Sequence, residues 1–383
     1  MSRIAGLDRS RWRTLIAAIA CVTVFDITLG LSFPLFSLIL EDRGYSATMI
    51  GIQASFGPLG VLAAGPVIPH LTARFGSKRV AQACCVLVAL VLMSFKLVES
   101  MWIWLPLRFV LGALACTLFA VSESWVVRTA EGPYRGRITA IYASILSGGF
   151  ALGPAMLPFT GFRGWLPFLI GAGIMFLAII PITFVEIDDQ SDGTEKPASF
   201  FGFFARAPIL LLAVGAFALL DAAVLALFPL YGLRHGLSVN LSTFALTVLI
   251  AGNLILQFPI GWIGDHLPKR KVMLACAFIT ALAALFLPKA MGTVLMWPLL
   301  VLIGACGFGI YTMAIAILGE RYKGPELVAG AAAFASMWGL GGMVGPSLGG
   351  WSMELFGADG FPLAMSFVFF AFSGLIILRD RKR

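Results

Sequence analysis

Two aspartates lie at matching positions in two long apolar stretches of the sequence. Asp26 and Asp221 are 195 residues apart, and each is followed seven residues later by a Phe-Pro-Leu triplet. In a membrane, an ionised side chain costs roughly 2.5–3.5 kcal/mol on insertion scales, and burial disfavours the charged form of a carboxyl. We therefore predict that this pair binds protons or cations. The alternative is two structural acids that hydrogen-bond to neighbouring helices or stay protonated.

A third acid, Glu123, lies in another apolar stretch, near the end that we predict to face the cytoplasm. It is a candidate for proton coupling. The competing interpretation is an ion pair with Arg74, Arg135 or Arg137 that closes a cytoplasmic gate. Arg108 lies in the same stretch. It could extend outward to the polar interface, be a substrate counter-ion, or hold the first span, and we favour this structural role.

Amide and aromatic side chains are the candidates for substrate binding. Asn253, Gln257 and Gly261 recur every four residues, which places them on one face of a helix. Two amides on one face in lipid need partners, either on another helix or in a wet cavity. Aromatic rings in other spans could stack on a flat substrate, although core packing is an equally simple explanation. The predicted substrate-binding residues are Gln53, Tyr142, Asn253, Gln257, Tyr311 and Trp338.

Metal and enzyme chemistry is not supported by the residue spacing. The six cysteines lie in apolar stretches without paired spacing, and no Met or His has a Met four residues later. Such soft pairs would suit Cu(I). The sequence also has no Gly-Lys-Ser/Thr phosphate loop and no cluster around a nucleophile. We therefore predict no metal site, no cofactor and no enzymatic activity.

The composition identifies the solvent of most of this chain as lipid. Apolar residues make up 60% of the 383 residues, charged residues 12%, and the mean hydropathy is +0.96. A soluble domain has about 25% charged residues, and it could not hide this much apolar surface from water. The composition predicts an all-α membrane protein and excludes disordered, fibrous and disulfide-stapled classes.

The chain has room for twelve membrane-spanning helices with short links. A span needs roughly 20 mostly apolar residues. The polar stretch Glu186–Ala207 divides the spans six and six, which predicts a bundle over 1–186, a linker over 187–207 and a second bundle over 208–383. The predicted spans are 14–40, 47–72, 80–98, 102–127, 137–160, 165–185, 208–234, 240–264, 272–290, 294–319, 326–355 and 361–378.

The positive charges predict the orientation of the chain in the membrane. Twenty-one of the 27 Lys and Arg residues lie at the termini or in every second link, and five lie in the other links. Because Lys and Arg accumulate on the cytoplasmic side, both termini and the 187–207 linker are predicted to be cytoplasmic. This distribution accounts for the net charge of +8 without a nucleic-acid partner. No cleavable signal is expected, since the first apolar run is long enough to span.

The two halves of the sequence repeat each other at a nearly constant offset. Gly153-Pro154 in the fifth span corresponds to Gly345-Pro346 in the eleventh, 192 residues later. Pro and Gly of the fourth and tenth spans show the same offset, and the aspartates differ by 195. A parallel six-plus-six repeat is the arrangement of transporters whose halves move about a site near the bilayer midplane.

The link Gly261-Trp-Ile-Gly-Asp265-His-Leu-Pro-Lys-Arg270-Lys, together with the repeat, resembles the major facilitator superfamily over essentially the whole chain. The matching link of the first half departs from the family pattern, with Pro69 and Ala73 where Gly and Asp are expected. The resemblance implies a functional monomer that works by alternating access. The residues that it implies for gating are Arg74, Arg135, Arg137, Gly153, Pro154, Asp265, Arg270, Gly345 and Pro346.

Shorter motifs are similar to a branch that contains YcaD-type proteins and CcoA-type copper importers, with riboflavin importers nearby. They include Glu123-Ser-Trp and the segment Leu318-Gly-Glu-Arg-Tyr322. The preferred interpretation is a secondary-active, proton-coupled transporter of the bacterial inner membrane, working as a symporter or antiporter. Its first candidate substrate is a small organic solute, a flavin-like or aromatic nutrient. The alternatives are a drug or metabolite exporter, a copper importer without the usual Met and His pairs, and a non-transporting membrane sensor.

Overall fold

A computed structural model describes residues 9–98, 100–129, 135–183, 206–323 and 325–380, and these residues form thirteen α-helices. Ten of the described helices are long and apolar enough to cross a bilayer. The all-α prediction is confirmed. The helices are α1 (Arg9–Asp42), α2 (Ala47–Ala64), α3 (Ile68–Phe75), α4 (Ser77–Leu97), α5 (Met101–Thr129), α6 (Arg135–Thr160), α7 (Leu166–Thr183), α8 (Pro208–Arg234), α9 (Val239–His266), α10 (Lys269–Ala290), α11 (Met296–Arg321), α12 (Pro325–Phe356) and α13 (Gly360–Asp380).

The helix observed for the second span is shorter than the predicted one. We predicted one helix over 47–72, but α2 ends at Ala64, and a turn leads into the short helix α3. Pro66 lies in this turn and Pro69 lies in the first turn of α3, where a missing backbone N–H is tolerated. None of the residues of α3 is buried. The other predicted spans agree with long helices to within a few residues.

The chain divides into two compact units whose boundary differs from the sequence repeat. The first unit comprises Met1–Leu35 and Leu59–Asp192, and the second comprises Phe36–Pro58 and Gly193–Arg383. The end of α1 and most of α2 therefore belong with the second half of the chain. The predicted boundary between the halves, at 187–207, falls mainly on residues outside the described part.

In the first unit, α4 packs against α5 and α7, and α6 lies against α1. Trp104 is fully buried, meets Phe95 edge to face at 5.2 Å, and donates its indole N–H to the Val98 carbonyl at 2.6 Å. Gly153 touches the backbone of α1 so closely that a Cβ would overlap Leu31. Small residues at such contacts let helix backbones approach, which strengthens packing in lipid.

In the second unit, α8 is the central helix and is buried along most of its length. It packs against α12, where a Cβ on Gly345 would overlap the carbonyl oxygen of Leu219. The segment Phe36–Pro58 also contacts helix α12. The Ser55 and Ser347 hydroxyls are 2.8 Å apart, and Thr48 donates a hydrogen bond to Glu354.

Candidate functional site

Asp26 is buried in the first unit with one carboxyl oxygen unsatisfied. Its side chain is 3% exposed, and Oδ2 has no hydrogen-bond partner within the described part of the chain. Helix α1 positions it against Gly149 of α6, where an added Cβ would lie 3.5 Å from the Asp26 Cβ. An unpaired carboxylate oxygen in an apolar interior is costly, whereas the protonated acid is neutral. The site can therefore hold a proton.

Asp221 has different surroundings, although it occupies the corresponding place in the repeat. The residues that flank it on α8 are buried, while Asp221 itself is partly exposed. It lies one helical turn after Phe217 and hence on the same face of α8. The two predicted coupling acids therefore differ in burial, since Asp26 is enclosed and Asp221 is partly exposed.

Three helices of the second unit bring together an amide–aromatic cluster formed by Phe217, Asn253, Gln257, Tyr311 and Thr312. The rings of Phe217 on α8 and Tyr311 on α11 stack at 4.9 Å with an interplanar angle of 28°. Gln257 on α9 donates a hydrogen bond to the Thr312 hydroxyl. Asn253 precedes Gln257 by one turn, so both amides face the same way.

The cluster leaves hydrogen-bonding capacity unused. Among the described residues, neither Asn253 Oδ1 nor Gln257 Oε1 has a hydrogen-bond partner, although both atoms are buried. Such groups cost about 1–3 kcal/mol each when they stay unpaired. Phe217 is 3% exposed and stacks on Tyr311, which is partly exposed, so the outer face of the Tyr311 ring is the surface on which a flat solute with hydrogen-bonding groups at its edge can stack.

Phe217 and Thr312 were missed by the sequence analysis. Both had a signal in the sequence, because Phe217 precedes Asp221 by one helical turn and Thr312 follows Tyr311 directly. Their importance depends on which faces of α8, α9 and α11 meet. Helical spacing along a single span does not give that information.

The remaining predicted substrate residues are placed on other elements. Trp338 is partly exposed on α12. Gln53 on α2 is 1% exposed, and its Nε2 atom has no hydrogen-bond partner within the described residues. Tyr142 lies outside the residues whose side chains the structure describes.

The predicted cytoplasmic gate of the first half is described only in part. Glu123 and Arg74 are both exposed, and the Arg74 guanidinium lies over the Phe75 ring at 5.3 Å. No ion pair joins Glu123 to Arg74 in the described chain. Arg135 and Arg137, the other proposed partners, lie outside the described side chains.

In the second half, an ion pair lies beside the predicted gating residues Asp265 and Arg270. Lys269 at the start of α10 pairs with Glu320 at the end of α11, with 2.6 Å between Nζ and Oε1. Asp265 is exposed at the end of α9, and Arg270 is partly buried. The pair ties the link between α9 and α10 to α11.

The two Gly-Pro motifs occupy equivalent close contacts. Gly153 of α6 packs on α1, and Gly345 of α12 packs on α8. Pro154 and Pro346 follow them inside their helices, and the Pro346 carbonyl oxygen would overlap a Cβ on Gly51 of α2. These motifs therefore form helix-packing contacts in both units.

Arg108 holds the first span, which was the preferred sequence interpretation. Its side chain is 2% exposed, Nη1 donates to the Ser32 hydroxyl at 3.2 Å, and the guanidinium carbon lies 4.1 Å from the centre of the Phe33 ring. Cation–π contact and a charged hydrogen bond together fix α5 to α1. The helix that carries Asp26 is thus anchored two turns beyond the acid.

Comparison with known proteins identifies similar transporters over the whole chain. A family model described as Major Facilitator Superfamily matches residues 16–252 and 235–382. The uncharacterized MFS-type transporter YfkF of Bacillus subtilis (strain 168) is 28% identical over 353 residues, which cover 88% of this chain and 87% of that protein. An uncharacterized MFS-type transporter of Yersinia pseudotuberculosis serotype O:3 (strain YPIII) is 24% identical over 340 residues, 88% of each protein.

Solved structures share the fold at low sequence identity. The nucleoside transporter NupG has a TM-score of 0.78 and 12% identity, covering 97% of this chain and 99% of that chain. A bacterial homologue of the human lysosomal transporter Spinster has a TM-score of 0.75 and 15% identity, covering 96% of this chain and 97% of that chain. The likeness extends through both units.

Proposed function

We propose proton-coupled transport of a small organic solute as the function of this chain, which belongs to the major facilitator superfamily. The observation that carries the proposal is the buried carboxyl of Asp26, whose Oδ2 has no hydrogen-bond partner among the described residues. A carboxyl in this position is an internal proton site. Its charge is unfavourable whenever water cannot reach it.

Proton binding at Asp26 changes the free energy of the closed states. With a proton bound, the acid is neutral and can be enclosed between α1 and α6 at low cost. Without the proton, the charged form favours a state in which water reaches the carboxylate. A gradient of protons then biases the conformational equilibrium, and a solute that binds one state preferentially is carried with it.

The amide–aromatic cluster supports a planar solute with polar groups on its edge. Phe217 and Tyr311 provide stacked ring faces, and the free oxygens of Asn253 and Gln257 can accept hydrogen bonds. A flavin-like or aromatic nutrient has both properties. We place the solute here, in the second unit, with Asp221 on the same face of α8 as Phe217.

The proposed setting is the bacterial inner membrane, with a functional monomer and both termini in the cytoplasm. The distribution of Lys and Arg supports this orientation. Within the superfamily, we propose kinship with the YcaD- and CcoA-type branch on the basis of the short motifs around Glu123 and Glu320. Uptake by proton symport is the proposed direction.

The experiment has two stages. A thermal-shift screen of the purified chain against flavins, aromatic amino acids, amphiphilic drugs and copper first identifies a bound solute. Proteoliposomes are then loaded at neutral pH, and uptake of that solute is measured with and without an acidic exterior. We expect accumulation that requires the pH gradient and is abolished by a protonophore. Uptake that only equilibrates the solute, whatever the pH gradient, would argue against coupling to protons.

A further inference from the structure

A cavity separate from the amide–aromatic cluster lies where five helices of the second unit begin or end. Its volume is about 510 Å³. The walls are the start of α8, the link between α9 and α10, the end of α11, and Arg379 in the last turn of α13. No residue of the amide–aromatic cluster lines it. By the predicted orientation, this cavity opens on the cytoplasmic side.

The lining of the cavity carries an excess of positive charge. Five of its side chains are Arg or Lys and two are carboxylates, so the formal excess is three charges. The five cationic residues are Arg206, Lys269, Arg270, Arg321 and Arg379. Apolar residues, among them Leu210, Met273 and Ile317, complete the wall and lower the local screening of charge by water.

The ion pairs of the cavity leave two arginines available. Lys269 pairs with Glu320, and Arg206 pairs with Glu326, which lies outside the lining. Neither Arg321 nor Arg379 forms an ion pair with another described residue. Each guanidinium presents several N–H donors in a planar fork, a geometry that matches phosphate oxygens.

Two helix starts also line the cavity. The N-cap residues of α8 and α10, Ala207 and Pro268, line the wall, and neither helix start is capped by a side chain. The carboxyl ends of α9 and α11 lie in the same wall, so the helix dipoles largely offset each other. The arginines therefore decide the sign of the charge that this cavity attracts.

We propose that this cavity binds a phosphate-bearing anion. Once Glu326 is counted against Arg206, two excess positive charges remain. Together with two separate arginine forks they favour a multivalent anion with several acceptor oxygens over a monovalent ion. The volume is in the range of small-molecule pockets, about 300–1,000 Å³, so it accommodates more than a single phosphate group. The phosphate can belong to a soluble cytoplasmic metabolite or to the headgroup of an anionic phospholipid.

The test measures binding directly and is independent of transport. The full-length protein in phosphatidylcholine nanodiscs is titrated with inorganic pyrophosphate by isothermal titration calorimetry. The variants are Arg321→Gln, Arg379→Gln and the double variant, with Arg321→Lys to keep the charge without the planar fork. Arg79→Gln is the matched control, because Arg79 is exposed in the first unit, away from this cavity. Thermal unfolding establishes that each variant is folded.

We expect the wild type to bind pyrophosphate, with each single Gln substitution weakening binding about tenfold or more, Arg321→Lys intermediate, and Arg79→Gln unchanged. Titration in nanodiscs that also contain phosphatidylglycerol distinguishes the sources. Unchanged affinity indicates a soluble anion, and competition by the lipid indicates a headgroup. Absence of binding by the wild type at millimolar pyrophosphate, or equal binding by the double variant, overturns the proposal.

Discussion

At the scale of single residues, the proposed binding of a proton and a solute depends on polar groups that the fold encloses. Asp26 Oδ2, Asn253 Oδ1 and Gln257 Oε1 are all buried, and none has a hydrogen-bond partner in the described chain. Because such atoms are costly in a structural core, their presence points to a proton or a solute that satisfies them during the transport cycle. The Nη1 atom of Arg108, in contrast to these oxygens, has a partner in the Ser32 hydroxyl.

Tyr311 is expected to contribute its ring to solute binding. Replacing it with Leu removes the stacked pair with Phe217 and should weaken binding of an aromatic solute about threefold to tenfold. Tyr311→Phe keeps the ring and serves as the control. Affinity is measured by calorimetry with the solute that the thermal-shift screen identifies. Equal affinities of the Leu and Phe variants would remove the ring from the binding site.

At the scale of helices, glycines at helix–helix contacts let the backbones of neighbouring helices approach closely. Gly345 and Gly153 both meet the backbone of a neighbouring helix, at equivalent positions of the repeat. The repeat in the sequence therefore corresponds to a repeat in packing, with α6 on α1 and α12 on α8. Close backbone approach at these points leaves no space for a larger residue.

Gly345→Ala should destabilise the protein by about 1–3 kcal/mol, because the new Cβ would overlap the Leu219 carbonyl oxygen and push α12 from α8. Gly374→Ala is the matched control. Gly374 lies inside α13 with open space around its missing Cβ, so alanine there should be neutral or stabilising by up to about 1 kcal/mol. The two variants are compared by thermal unfolding in detergent. Equal melting temperatures of the two variants would show that the α8–α12 contact accommodates the added Cβ without loss of stability.

The existence of the long helices could be predicted from the sequence, but their ends and partners only in part. Apolar runs of span length predicted the helices, because in lipid a spanning segment must make all its backbone hydrogen bonds internally. Apolar content alone did not reveal the break at Ala64, where Pro66 and Pro69 interrupt the second span. The pairing of Gln257 with Thr312 depends on how two helices pack, which the spacing along a single span does not give.

At the scale of the whole molecule, each unit combines elements in a way that the sequence repeat does not show. The repeat places Phe36–Pro58 in the first half, whereas its contacts join it to α12 in the second unit. Gly51 and the hydroxyl pair of Ser55 and Ser347 form part of this junction. Contacts between segments far apart in sequence are set by tertiary packing. An internal repeat therefore predicts the two-bundle architecture, but it does not predict which unit a segment such as Phe36–Pro58 contacts.

The orientation of the molecule is tested by cysteine labelling of intact cells. A membrane-impermeant maleimide should fail to label Asp192→Cys, in the linker predicted to be cytoplasmic, and should label Val294→Cys. Val294 is 84% exposed in the link between α10 and α11, on the predicted outer side. The protein without an added cysteine gives the background. Strong labelling at position 192 from outside would reverse the proposed topology.

The most direct test of the central claim is transport by variants of the two matched aspartates under an imposed pH gradient. Asp26→Asn keeps the size of the side chain but cannot release a proton. It should abolish accumulation of the solute against its gradient, while exchange between equal pools, which needs no net proton movement, should survive. Wild type, Asp26→Asn, Asp221→Asn and the double variant are compared in proteoliposomes. Gradient-driven accumulation by the double variant at the wild-type level would contradict proton coupling through these acids.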